Sequence, residues 1–153
     1  MALYLVQHGK SLPKNQDPDQ GLSEEGKAET EMIAKTAREK GITVSQIRHS
    51  AKIRARQTAE ILAQSLNPEQ GVKEIVGIKP MDDVVEAAAN IDPTENTMLV
   101  GHLPFMERMT AFLVTGSIEK PIIKFQNSGI VCLDQEPDTQ AWVILWALLP
   151  KIG

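Results

Sequence analysis

LYLVQHGK at Leu3–Lys10 and MLVGHLP at Met98–Pro104 are the stretches that decide the fold of this chain. Each is a short apolar run ending in a histidine with a glycine beside it: His8 is followed by Gly9, and His102 is preceded by Gly101. Apolar runs of this length, bounded by turn-forming residues, mark strands buried in the middle of a sheet. Working outward, apolar strands alternate with amphipathic helical segments along the whole chain. That alternation predicts an α/β fold, a three-layer sandwich with a mainly parallel central sheet and helices on both faces. A chain of 153 residues can bury a real core and is read as a single domain over 1–153.

Local signals place the elements. Residues 10–21, KSLPKNQDPDQG, are polar and rich in Pro, Asn and Asp, the composition of a surface loop. Ser23 is placed to cap the next helix, with Glu24 and Glu25 in its first turn, Arg38 and Lys40 in its last, and Gly41 as its stop. A second strand is expected over Ile42–Ile47. A helix capped by Ser50 then runs to about Leu66, with Ile53, Ala59, Ile61, Leu62 and Leu66 on its apolar side. Val72–Val76 reads as a weaker strand, and Asp82 or Asp83 opens a short helix through Ala89. Thr97–Val100 is another buried strand, and Pro104–Val114 is a helix with its proline in the first turn. Ile130–Leu133 and Trp142–Leu148 pair as a terminal hairpin across QEPDTQ.

Composition narrows the classes of function. The formal net charge of −4 lacks the basic footprint of a nucleic-acid binder. The longest apolar stretch, AWVILWALL at 141–149, is too short to span a bilayer, so no membrane partner is expected. The lone cysteine, Cys132, lies in the apolar run GIVCL and reads as a small buried hydrophobe; one cysteine forms no internal disulfide, which suits a reduced compartment. With no targeting segment read at Met1, the expected location is cytoplasmic. There is no cysteine cluster and no histidine pair at i, i+4, and the carboxylates near His8 lie in a loop. Neither a metal nor another cofactor is therefore expected.

The chemistry-bearing residues follow from the strand ends. In open α/β sheets ligands bind beyond the carboxyl ends of the strands. His8 and His102, two of the three histidines, fall at such ends, and Ser50 follows a third. Gly9 and Gly101 let a ligand approach the backbone closely. Arg54, in the first turn of the helix after Ser50, has a side chain that leans back toward the helix N-terminus, where free N–H groups and the dipole attract an anion. A surface ion pair is the alternative use of an arginine and the expected one for Lys52 and Arg56; His49 is expected on a solvated rim. Two strand-end imidazoles with a helix-start guanidinium suit a site that binds a phosphoryl group and attacks it through a ring nitrogen.

At these residues the chain resembles the histidine phosphatase superfamily, most of all its small SixA-like phosphohistidine phosphatases. LYLVQHGKS looks like the strand with the family's Arg-His-Gly signature, and LSEEG at 22–26 like the helix start that follows. SAKIRARQTAEIL at 50–62 resembles the segment with the second arginine, and LVGHLP at 99–104 the second histidine. The resemblance implies a phosphoglycerate mutase-like sandwich in which His8 is the nucleophile and forms a phosphohistidine that water hydrolyses. Arg54 and His102 would bind the phosphoryl oxygens, with Gln7, Gly9 and Ser50 also lining the substrate site. Gln7 stands where the family has arginine, and an amide lacks the charge and planar fork that suit phosphate. Asp82 and Asp83 fall where other branches carry an acid and are candidate proton donors, although helix capping accounts for them as well. The implied partner is a phosphorylated protein bearing a phosphohistidine domain, or a small phosphorylated substrate, with the chain itself expected to be a monomer. A general phosphomonoester phosphatase and a phosphate- or phosphoprotein-binding pseudoenzyme weakened by Gln7 are the alternatives.

Overall fold

The computed structural model describes residues 1–152. Six strands form one sheet: β1 (Leu3–Gln7), β2 (Gln46–His49), β3 (Val72–Glu74), β4 (Thr97–Gly101), β5 (Ile130–Gln135) and β6 (Trp142–Leu148). Their order in space is β3-β2-β4-β1-β5-β6. The pairs β2–β3, β2–β4 and β1–β4 are parallel, whereas β1–β5 and β5–β6 are antiparallel. The fold is thus an α/β sandwich on a mostly parallel sheet, and the terminal hairpin extends one edge.

Side-chain alternation divides the sheet into two apolar faces. Tyr4, Val6, Ile47, Met98, Val100, Ile130 and Cys132 face α1 (Glu24–Glu39) and α2 (Ile53–Leu66), meeting Ile33, Ala34 and Ala37 of the first and Ala55, Ala59 and Leu62 of the second. Leu3, Leu5, Leu99, Val131 and Leu133 face the opposite way, against Val84 of α3 (Val84–Ala89) and Phe105, Met106 and Met109 of α4 (Phe105–Thr115). Cys132 is buried, and burial pushes its thiol up to about 11, the behaviour of an inert core residue.

Most helix boundaries follow their chemistry. The Ser23 hydroxyl accepts from Gly26 N at 3.0 Å, and such a cap is worth about 1 kcal/mol. Gly41 beyond the C-cap takes φ +74°, a conformation that costs glycine nothing. Asp83 caps α3, accepting from Val85 N at 2.9 Å.

Two boundaries depart furthest from the sequence reading, while β3 ends at Glu74 rather than Val76 and β5 runs on to Gln135. The second strand is Gln46–His49 rather than Ile42–Ile47, because pairing with Thr97–Val100 of β4 sets the register and a polar inner face is tolerated there. Gln46 meets its needs through Glu95 at 2.6 Å and Thr97 at 3.3 Å, and accepts from Arg48 Nε at 2.9 Å. Helix α2 starts from Lys52 with no side-chain cap, and not from Ser50, whose hydroxyl is committed elsewhere.

Candidate active site

Parallel register brings the site together. Gln7 of β1 lies opposite Gly101 of β4, and Val100 of β4 opposite His49 of β2. The next residue on each strand, His8, His102 and Ser50, therefore leaves the sheet at the same carboxyl edge. His8 N donates to Gly101 O at 2.9 Å, and Ser50 N to Val100 O at 3.3 Å, so the ladder runs on into the site. Neighbouring strands lie about 4.8 Å apart. The His8 and His102 rings accordingly sit with centroids 5.0 Å apart, tilted by 55°.

Each imidazole is oriented by its partners. His8 Nδ1 lies 2.7 Å from the Gly9 carbonyl, which can only accept, so Nδ1 carries the proton and Nε2 keeps its lone pair. Burial lowers the His8 pKa below the ordinary imidazole value and the Arg54 charge adds to this, against the Gly9 hydrogen bond. His102 is 2% exposed, with Nε2 2.6 Å from Ser50 Oγ. Burial, then the charges of His8, Arg54 and Lys52, lowers its pKa to about 3. Both rings are neutral at pH 7, which is the state a nitrogen nucleophile needs.

The anion-binding elements lie beside them. Arg54 is in the first turn of α2, an N-terminus whose N–H groups no side chain caps. Among the described residues Arg56 pairs with Glu60 at 3.5 Å, but Arg54 forms no ion pair. Burial lowers its pKa, although a guanidinium stays charged at neutral pH. A partly desolvated cation facing two neutral imidazoles attracts an anion. Gln7 Oε1 and His102 Nδ1 are buried without a hydrogen-bond partner among the described residues. Lys10, in the surface loop, reaches Glu25 at 2.6 Å and Glu29 at 3.6 Å on α1, a surface ion pair that takes up its charge.

A layer of hydroxyls and one amide supports His8 and its backbone. Gly9 N donates to Thr58 Oγ1 at 2.9 Å, and the same hydroxyl donates to Arg54 O at 2.7 Å. Asn127 Nδ2 donates to His8 O at 2.9 Å, and Ser128 N to Gln7 O at 2.8 Å. A Cβ on Gly9 would lie 2.9 Å from Thr30 Oγ1 and 3.0 Å from Ser128 Oγ, so only glycine fits between these hydroxyls. None of Thr30, Thr58, Asn127 or Ser128 was singled out from the sequence. The i, i+4 spacing of Arg54 and Thr58 and the turn-forming NSG at 127–129 are the signals that point to them.

The remaining candidates stand apart or take other roles. Ser50 is not the helix cap: its hydroxyl serves His102 and accepts only weakly from Lys52 N at 3.4 Å. His49 is buried at 4% exposure, not on a solvated rim, with Nδ1 held 2.7 Å from Ser50 O. Asp82 accepts from Lys79 N at 2.8 Å and Asp83 caps α3; both line a cavity of about 440 Å³ beneath α3 whose walls include none of His8, Arg54 and His102. Among the described residues no cluster of His, Cys, Asp and Glu is arranged to hold a metal ion.

Known proteins share the fold and part of the sequence. Residues 3–76, which carry His8 and Arg54, match the model of the histidine phosphatase superfamily, branch 1. The structure of SixA from Agrobacterium tumefaciens, described as a phosphohistidine phosphatase, superposes with a TM-score of 0.78 at 27% identity, covering 97% of each chain. This chain belongs to the histidine phosphatase superfamily. A protein histidine phosphatase SixA bound to tungstate shares the fold over 98% of this chain and 97% of that one, with a TM-score of 0.83 at 23% identity. An uncharacterized protein of Picosynechococcus is 32% identical over 94% of this chain and 95% of its own length. Within the superfamily fold, His102 and the Asn127–Ser128 turn come from the half of the chain beyond the matched segment. No helix in the described residues is long and apolar enough to cross a membrane.

Proposed function

We propose that this histidine phosphatase superfamily member removes the phosphoryl group from a protein-borne phosphohistidine, through a phosphohistidine on His8. The observation that carries the reading is the Nδ1 bond of His8 to Gly9 O at 2.7 Å, which leaves Nε2 unprotonated next to the Arg54 guanidinium. The Nε2 lone pair forms a bond to phosphorus as the substrate's P–N bond breaks. The bonding electrons leave with the substrate imidazole, which takes a proton from solvent. Water then attacks phosphorus, the P–Nε2 bond breaks, and inorganic phosphate departs with His8 restored. Arg54 and the α2 N-terminus oppose charge on the equatorial oxygens, and Ser50 holds the His102 ring beside them.

Two features favour a phosphohistidine over a phosphomonoester. Imidazole leaves more readily than an alkoxide, and both candidate acids accept backbone hydrogen bonds, Asp82 in the turn before α3 and Asp83 as the α3 cap. His8 and Arg54 are half-buried, within reach of a histidine presented on another protein. Gln7 supports a second reading, a binding module. Its amide brings no charge, and loss of a comparable donor costs roughly 3–4 kcal/mol, or about 100- to 1,000-fold in rate. The test compares turnover of a phosphohistidine peptide with para-nitrophenyl phosphate, using His8→Ala as control. Faster peptide turnover that vanishes in His8→Ala is expected. Equal or faster hydrolysis of the ester would indicate a general phosphatase. Absence of both activities with retained phosphate binding would indicate the binding module.

A further inference from the structure

We propose that Thr58 is a positioning residue, and that its one hydroxyl both sets the tautomer of His8 and ties the nucleophile to Arg54. Thr58 is fully buried on α2, at 0% exposure. A threonine bonded back to the i−4 carbonyl weakens a helix slightly, and a buried hydroxyl is costly unless its bonds are satisfied. Alanine or valine would serve α2 better if packing were all that mattered. The hydroxyl is satisfied in one direction: its proton goes to Arg54 O at 2.7 Å, so its lone pair is what receives Gly9 N–H at 2.9 Å.

That direction matters at Gly9. Glycine has the softest backbone of any residue, yet its carbonyl must face His8 Nδ1 to keep the proton there. Thr58 anchors the N–H side of the residue, while Thr30 Oγ1 and Ser128 Oγ crowd the position a Cβ would take. Without the Thr58 bond the His8–Gly9 peptide keeps only its Asn127 contact at His8 O, the Gly9 carbonyl beyond it can swing away, Nδ1 loses its acceptor, and the proton is shared between the two ring nitrogens. The chain His8 ring, Gly9 backbone, Thr58 hydroxyl, Arg54 backbone also sets the distance between the attacking nitrogen and the anion-binding guanidinium. One hydroxyl therefore aligns two groups that come from different elements.

The inference rests on His8 being the nucleophile, but its first readout requires no turnover. Nitrogen-15 NMR of the histidine rings reports the His8 tautomer, and titration with orthovanadate reports anion affinity. In the unmodified protein the Nδ1–H form should dominate. Thr58→Val keeps the shape and removes the hydroxyl; the Nδ1–H to Nε2–H ratio should fall at least threefold and vanadate affinity about tenfold. Thr58→Ser should restore both within twofold. If Thr58→Val does not fold, Thr58→Ala serves in its place. A hydroxyl-less variant with an unchanged tautomer ratio and unchanged vanadate affinity, whatever its melting temperature, overturns the proposal. So does failure of both variants to fold, which would assign Thr58 to the core alone. A protein with no phosphatase turnover but a Thr58-dependent His8 tautomer would refute the proposed function and leave this inference standing.

Discussion

Gln7→Arg tests the electrostatics of the site most directly. Gln7 ends β1 opposite Gly101, one residue before His8, so a guanidinium there enters the same edge of the sheet as Arg54. At about 4 Å from a phosphoryl oxygen and an effective dielectric near 20, a unit charge pair is worth about 4 kcal/mol. Gln7 is half-buried, and solvent screening leaves roughly half of that, ~2 kcal/mol or about 30-fold in the chemical step. The same charge carries a penalty in the empty site. It faces Arg54, whose guanidinium already suffers from burial, and like charges some 7 Å apart in a partly solvated site repel by about 1 kcal/mol. The variant should therefore turn over a phosphohistidine peptide about 30-fold faster in single-turnover quench-flow, yet melt at a lower temperature without ligand. Saturating phosphate should abolish the difference in melting temperature. Gln7→Arg with His8→Ala should show the thermal effect and no turnover. An unchanged or reduced single-turnover rate in Gln7→Arg would refute the charge argument and mean that the pocket is built around the amide.

The other predictions concern pH, specificity of the anion site and packing. The folded-state pKa of His102 is about 3, against ~6.5 for a free imidazole, so between these values the unfolded chain binds the extra proton. Its contribution is fully present above pH 6.5 and is lost as the pH falls toward 3, by at most about 4 kcal/mol, with His8 acting in the same direction. Urea midpoints between pH 7 and pH 4 should fall more steeply for the unmodified protein than for His102→Asn; parallel curves would contradict the assignment. Arg54→Ala should weaken vanadate binding at least tenfold and raise the pKa values of both His8 and His102, whereas Arg38→Ala, in the last turn of α1, should change neither in calorimetry and NMR titration. Gly26→Ala should cost roughly 2–3 kcal/mol despite the better helix propensity of alanine, because overpacking against Lys10 O, 2.1 Å from the new Cβ, must displace α1. Denaturant titration reads that loss, and a neutral result would show that the helix can move freely.

The strand ends were legible in the sequence because burial writes them plainly. LYLVQ and TMLVG have no reading except as central strands, and a parallel sheet then obliges His8 and His102 to emerge together. Ser23 and Asp83 were legible as caps because a side chain bonding two or three residues ahead is a local event. Ser50 misled for the same reason: it sits where a cap would, but its partner is His102, 52 residues away, and nothing near Ser50 announces that contact. The limits of β2 were set by β4 rather than by its own apolar run, which is why Arg48 and His49 fell outside the expected strand. Thr58 and Asn127 act through backbone groups of His8, Gly9 and Arg54, and such partners leave no mark in residue type. The loop that starts at Lys10 was legible as surface, but its ion pair with Glu25 and Glu29 was not, since these become neighbours only when α1 folds back over the loop.

The position of β4 between β1 and β2 governs what happens as the chain is made. The first 76 residues contain His8, Arg54 and three strands, but β1 has no neighbour among those strands. Until Thr97–Gly101 leaves the ribosome, Leu3–Val6 has no strand to pair with and β2 has only β3, so the growing chain exposes apolar strands with open edges. The fourth strand closes that gap and delivers His102 in the same movement. The sheet and the candidate site thus arrive together, so a chain stalled or cut before residue 101 lacks both β4 and His102 and carries the strand edges that invite aggregation and draw chaperones.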